Sequence, residues 1–185
     1  MTISFRRLTA SAAALLTVSA ATARAQAAAS TRPVSVGVSG GLTLPSGDFG
    51  DFYDSGYNVG GLLEFAPAVS PVSFRLEGTY QRFSLKDDVR IGAADDLRII
   101  SGVANALYKF GGAVARPYVI GGVGAYNLDL AGDDTDSETK FGFNVGAGLE
   151  IPLSGITVFG DVRYESIRTE VDPTNLFPIR VGLRF

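Results

Sequence analysis

The chain contains no cysteine, no histidine and no tryptophan, and its single methionine is the first of its 185 residues. Each absence removes a class of chemistry. Without histidine there is no side chain whose ordinary titration spans neutral pH, and so neither the commonest general base nor the commonest metal ligand. Without cysteine there is no disulfide, no thiolate nucleophile and no zinc-thiolate centre. Neither a Ser-His nor a Cys-His nucleophile pair can be assembled within one chain. No catalytic residue, metal or cofactor is expected. Charge is also scarce at 19% of residues, whereas 46% are hydrophobic and 23 are glycine. Glycine in a helix interior costs about 1 kcal/mol relative to alanine, so this composition argues against a helical protein.

The first 25 residues read as a secretory signal peptide. Arg6-Arg7 forms a positive start, Leu8 to Ala21 is an apolar stretch rich in Ala and Leu, and Ala23-Arg24-Ala25 is an A-x-A cleavage pattern. A membrane anchor is the alternative, but the stretch is short for a span. Residues 26–185 then form one domain. Removing the three arginines of the leader from 16 basic residues leaves 13 against 19 acidic, a net charge of −6. An acidic exported chain is a poor partner for nucleic acid.

What the mature chain has in abundance is period two, the signature of a strand with one apolar face. Val34, Val36, Val38, Leu42 and Leu44 alternate with Ser35, Gly37, Ser39, Gly41 and Thr43. Seven further segments follow, beginning near Tyr57, Val72, Leu97, Pro117, Phe141, Ile156 and Phe177. The fourth and fifth are apolar on both sides. For the fourth, Ile100, Ala104, Ala106, Tyr108 and Phe110 form the preferred apolar face, since this groups Ser101, Asn105 and Lys109 opposite; the phase of the fifth stays open. The segments are about 9 to 14 residues, longer than most soluble strands and close to what a tilted strand needs to cross a bilayer. Short Pro- or Gly-containing connectors follow segments two, four and six. Connectors about twice as long follow one, three, five and seven, the plan of an outer-membrane barrel.

Period two does not say which face is inside, and a soluble eight-stranded barrel with an apolar interior is the rival. Three features favour lipid outside. The polar face is mostly Gly, Ser, Thr and Asn, which suits a narrow packed lumen better than a solvated exterior. Aromatic residues gather near segment ends on the apolar face, as at membrane interfaces. The chain ends on an alternating apolar strand with a terminal Phe.

These residues carry a resemblance. Val181-Gly182-Leu183-Arg184-Phe185 resembles the C-terminal signature of bacterial outer-membrane barrels. Pro117-Tyr118-Val119-Ile120-Gly121-Gly122-Val123-Gly124 is similar to the fifth-strand motif of the small OmpA/OmpX-like barrels of the porin family, and Gly47-Asp48-Phe49-Gly50-Asp51 to a first-loop pattern of that superfamily. The resemblance covers the whole mature chain. It implies an all-β, eight-stranded antiparallel up-and-down transmembrane β-barrel in a bacterial outer membrane, monomeric, among lipid and lipopolysaccharide. It further implies that Phe177, Ile179, Val181, Leu183 and Phe185 form a signal recognised by the barrel assembly machinery. The barrel enzymes similar in architecture generally use a catalytic His, which this chain lacks.

Two groups of charges are candidate sites. By the alternation, Glu64, Arg75, Glu77, Lys109, Glu150, Asp161, Arg163, Glu165, Arg180 and Arg184 point into the lumen, five acids and five bases. Charge in a narrow barrel is costly unless paired, so an interior ion-pair network is the expectation, with a gated ion path as the alternative. The second group is the acidic rim: Asp48, Asp51 and Asp54 in the first loop, and Asp129, Asp133, Asp134, Asp136 and Glu138 against Lys140 in the third. It lacks the Gly and terminal Glu of a calcium loop, so a solvated rim is expected, with weak divalent binding that bridges lipopolysaccharide phosphates as the minority reading. The expected function is structural or adhesive, with a lumen blocked by ion pairs. A narrow pore for small solutes and a soluble periplasmic ligand-binding barrel are the alternatives.

Overall fold

The computed structural model describes residues 33–85, 97–130, 138–169 and 173–185. The expected leader and the loop acids Asp133, Asp134 and Asp136 lie outside the described residues. Eight strands follow in order: β1 Val34–Ser46, β2 Gly56–Phe65, β3 Val72–Phe83, β4 Leu97–Lys109, β5 Arg116–Leu130, β6 Glu138–Pro152, β7 Thr157–Ile167 and β8 Thr174–Arg184. Each pairs antiparallel with the next, and β1 pairs with β8, so the sheet closes into a barrel with no free edge. The seam is locked at its end by reciprocal hydrogen bonds, Val36 N–H to the Phe185 carbonyl at 3.0 Å and Phe185 N–H to the Val36 carbonyl at 2.9 Å.

The alternation resolves into an outer apolar skin and an inner polar filling. Val38, Leu42, Leu76, Ile100, Val145 and Val181 all point outward and are more than half exposed, whereas Glu64, Arg75, Glu150 and Arg163 are buried inside. A soluble barrel would have the reverse, so that alternative fails on this point. In β4 the outward face is Ile100, Ala104, Ala106 and Tyr108. In β5 the open phase resolves with Tyr118, Ile120 and Tyr126 inward and Val119 and Val123 outward.

The described strands reach further at one end than the alternation predicts. β5 and β6 are 15 residues each, and β8 begins at Thr174, seven residues after the end of β7. Two of the four long connectors are therefore shorter than expected. Polar residues extend the ladder, as where Asn127 donates to the Thr139 hydroxyl at 3.2 Å. The first connector holds a feature that alternation does not show, a short helix α1 at Asp48–Phe52, entered through Gly47 at φ 66°.

Bulky inward side chains lie across from glycine on the neighbouring strand. Tyr118 is the register partner of Gly148, and Phe159 of Gly182. A Cβ at Gly148 would stand 2.3 Å from Tyr118 Cζ, and one at Gly182 would stand 2.3 Å from Phe159 Cζ. Both distances are far inside van der Waals contact, so these glycines create the floor on which the rings lie. Many of the glycines thus serve volume rather than backbone freedom.

Candidate functional site

An eight-stranded barrel is just wide enough for side chains to fill, and here they fill it in three tiers. The tier nearest the short turns draws on alternate strands. Glu64 of β2 accepts from Arg75 Nε at 2.8 Å and from Lys109 Nζ at 2.6 Å. Arg75 Nη2 also stands 2.7 Å from the same Glu64 oxygen, as a charge contact too oblique for a hydrogen bond. Lys109 Nζ reaches Glu150 of β6 at 2.9 Å. Arg184 of β8 joins both acids, pairing with Glu64 and donating to Glu150 at 3.0 Å. Arg116, at the rim, approaches Glu150 at 4.0 Å.

The middle tier is organised by Arg163. Its two Nη groups grip Glu77 at 2.5 and 2.8 Å, and its Nε donates to Asp161 at 2.9 Å. Arg180 Nε donates to Asp161 at 3.2 Å, and its Nη1 stands 3.8 Å from Glu77. The remaining acceptor capacity of these carboxylates is taken by neutral donors. The Tyr118 hydroxyl donates to Asp161 at 2.8 Å, and Asn105 donates to Glu77 at 2.8 Å while accepting from Asn144 at 2.8 Å. Arg75 links the two tiers, 3.6 Å from both Glu77 and Asp161, with its guanidinium 4.8 Å from the centre of the Phe159 ring. Bidentate and charge-assisted contacts of this kind are the strong ones. They offset the desolvation that burying ten charges entails.

Glu165 departs from this pattern. It is buried on β7, one turn of the alternation above Arg163, and its contact is Gln81 Nε2 at 3.2 Å. Gln81 in turn accepts from Thr43 at 2.9 Å, and Thr43 accepts from Asn58 at 2.9 Å. Among the described residues no Lys or Arg comes within 4.0 Å of the Glu165 carboxylate. The structure therefore brings nine of the ten candidate charges into direct ion pairs and leaves Glu165 in a neutral hydrogen-bonded chain.

The third tier is one that charge counting missed. At the long-connector end, Phe83, Leu97, Ile99, Val103, Tyr126, Ile167 and Leu176 form a buried apolar cluster inside the barrel, with Phe49, Tyr53 and Leu128 packed against it. The lumen is thus not polar throughout, as the Gly, Ser, Thr and Asn content of the inner face implied. Helix α1 supplies the lid. Phe49 stacks on Tyr53 with centroids 4.6 Å apart and meets the Phe83 edge at 5.5 Å. Burial there pushes the Tyr53 phenol above its ordinary pKa. Inward Phe83 and Ile99 sit at the ends of β3 and β4, on the phase that carries Arg75 and Asn105 lower down; that continuity of phase is the signal by which they could have been found. On the rim, Lys140 pairs with Glu138. No group of three or more acidic residues able to hold a metal ion occurs among the described residues.

The residues of the expected assembly signal, Phe177, Ile179, Val181, Leu183 and Phe185, all lie on the outward face of β8 or at its end and are exposed.

Comparison with known proteins agrees with this architecture. The family described as the outer membrane protein beta-barrel domain matches residues 11–185. Neisserial surface protein A (NspA) superposes with a TM-score of 0.64 at 19% identity, covering 83% of this chain and 96% of that one. The N-terminal β-barrel domain of Pseudomonas aeruginosa OprF superposes with a TM-score of 0.50 at 18% identity, covering 82% of this chain and 97% of that one. No curated protein matches the chain.

Proposed function

The chain belongs to the outer membrane protein beta-barrel domain family and resides in the bacterial outer membrane, and from that premise we propose that it is a closed barrel with a structural or adhesive role rather than a conduit or an enzyme. The observation that carries this reading is that two barriers of opposite character stand in series along one lumen. A solute that could displace the ion pairs of Arg163 and Arg184 would next have to cross the dry cluster around Phe83 and Ile99. A path for ions needs continuous water or polar groups, and the apolar tier interrupts both. Four of the five interior carboxylates are engaged in ion pairs, which supports a structural use for them rather than acid-base work.

With its lumen closed, the barrel acts through its surfaces. Asp51 and Asp54 in the connector after β1, with Asp129 and Glu138 at the facing ends of β5 and β6, give the long-connector end an acidic character, and the outward pattern of β8 from Phe177 to Phe185 serves as the signal for the assembly machinery. Planar-bilayer recording of the purified protein tests the closure. No resolvable conductance steps are expected from the wild-type chain, and regular steps of uniform size would overturn the closed reading in favour of a narrow pore.

A further inference from the structure

The two ends of the barrel differ in chemistry. At the long-connector end the described residues include the exposed charges Asp51, Asp54, Glu138 and Arg168. The three short connectors, residues 66–71, 110–115 and 153–156, hold only Ala, Gly, Val, Leu, Ile, Phe, Pro and Ser. Each carries an exposed aliphatic side chain: Val69 is 99% exposed, Val114 77% and Leu153 52%. A single residue of this kind is ordinary, but three on one rim, with no charge in any of the turns, form a patch that marks a contact. The charged side chains nearest this end turn elsewhere. Lys109, Glu150 and Arg184 belong to the lumen network, and Arg116 directs its Nε to the Gly112 carbonyl at 3.3 Å and its Nη1 toward Glu150 at 4.0 Å.

The patch continues the lipid-facing skin without a polar break. Outward Phe65 and Phe110 lead into the first and second turns, and outward Ile151 stands two residues before Leu153. Tyr57 and Tyr80, with ring centroids 6.3 Å apart, mark the far side of that skin, and Phe65 lies eight residues after Tyr57 along β2. At about 3.3 Å per residue and a tilt of about 40° this is a rise of roughly 20 Å, so an apolar band of about 25 Å ends within the turns rather than above them. The headgroup layer, about 5–8 Å more, then covers the tips. The turns also keep their backbone donors occupied. Ala66 N–H donates to the Pro33 carbonyl at 2.7 Å, Ser70 N–H to the Pro67 carbonyl at 3.2 Å, Phe110 N–H to the Pro117 carbonyl at 2.8 Å and Leu153 N–H to the Ile156 carbonyl at 2.7 Å. The Ser70 hydroxyl accepts from Val72 N–H at 3.0 Å, and Pro67 and Pro71 have no N–H to satisfy. A turn with few open donors loses little on leaving water, which is the condition for entering a membrane interface.

We infer that the short-turn end is a lipid-seated face, with Val69, Val114 and Leu153 held at the boundary between acyl chains and headgroups of the periplasmic leaflet. Its partner is a phospholipid surface. The inference rests on the outer-membrane reading above and on the orientation in which short turns face the periplasm. It adds a fixed height: apolar tips draw one end into the leaflet, charged connectors hold the other end in water, and together they set the level at which the barrel rides in the bilayer.

The chain has no cysteine and no tryptophan, so a single substitution reports on a single site. Val69→Cys, Val114→Cys, Leu153→Cys and, at the other end, Asp54→Cys are each folded into phosphatidylcholine discs, whose two faces are both open to reagent, and treated with iodoacetamide. A heat-modifiable band on gels shows that the barrel has formed. Its absence from the unsubstituted chain would sink the outer-membrane reading and the inference with it, whereas its presence leaves the labelling to judge the inference alone. Alkylation at the three tips is expected to be about tenfold slower than at Asp54→Cys, with rates that converge in urea, because the reacting species is a thiolate and needs water. Val69→Trp should be quenched by phosphatidylcholine brominated near the headgroup and little by iodide, and Asp54→Trp the reverse. Tips that react as fast as Asp54→Cys, or iodide quenching as strong at Val69→Trp as at Asp54→Trp, would overturn the inference. So would tips open to reagent in the discs yet protected in native outer membranes, the pattern of a protein partner.

Discussion

Replacing Glu77 by alanine tests whether the lumen is dry. The Glu77 carboxylate receives both Nη groups of Arg163 at 2.5 and 2.8 Å and an Asn105 amide at 2.8 Å, with Arg75 and Arg180 at 3.6 and 3.8 Å. Its removal changes an interior of five acids and five bases to one with a surplus positive charge, at a site where Arg163 is 1% exposed. Breaking a buried pair by deleting one partner costs about 3–5 kcal/mol, mostly from the charge left behind. Equilibrium urea unfolding in phosphatidylcholine vesicles measures it, read by circular dichroism and gel mobility because the chain has no tryptophan to report by fluorescence. The companion variant joins Glu77→Ala to Arg163→Met and should recover most of the loss, since removing both partners of a buried pair is close to neutral. A loss below about 1 kcal/mol for the single variant, as for an exposed pair, would mean that water or an anion reaches Arg163. A double variant no better than the single would show that the stranded charge is not the cause. Either result refutes the reasoning.

The two faces should answer differently to the same kind of change. Val145→Arg places a charge on the lipid face near mid-height of β6 and should cost about 2–4 kcal/mol in the same unfolding assay. Gly148→Ala forces the Tyr118 ring off its floor, given a Cβ 2.3 Å from Tyr118 Cζ; about 1–3 kcal/mol of overpacking is expected. Gly78→Ala, whose Cβ points into open space on the outer face, should move the urea midpoint by no more than about 0.5 kcal/mol equivalent.

Much of this architecture is legible in the residues, for a definite reason. A barrel strand exposes one face to lipid and one to a crowded interior, so period two in β1, β2, β3, β6 and β8 separates them without knowledge of partners. The interior position of Glu64, Arg75 and Arg163 follows from that alternation alone. Which acid meets which base does not, because it depends on the stagger between strands: Arg184 reaches Glu64 and Glu150 across the lumen, and no spacing along the chain encodes that. The apolar tier is hidden for a different reason. Phe83, Ile99 and Leu176 are the same residue types that face lipid elsewhere, and they differ only in phase. β5 has small or apolar residues on both faces, so only pairing with β4 and β6 decides that Tyr118 goes in. Helix α1 owes its form to a loop sequence without periodicity, and its role to Phe49 and Tyr53 finding the mouth.

The tier nearest the short turns has a consequence for how the barrel comes to exist. Its members Glu64, Lys109, Glu150 and Arg184 come from β2, β4, β6 and β8, and the contacts that join adjacent strands are those of Glu64 with Arg75 and of Glu150 with Arg116. In a sheet without β8, Glu64 and Glu150 therefore lack their shared partner Arg184. Their neutralisation by Arg184 arrives in one step with the Val36–Phe185 rung. The charge network and the backbone ladder are thus completed by the same event, because the strand that closes the sheet also carries the arginine that bridges the two acids.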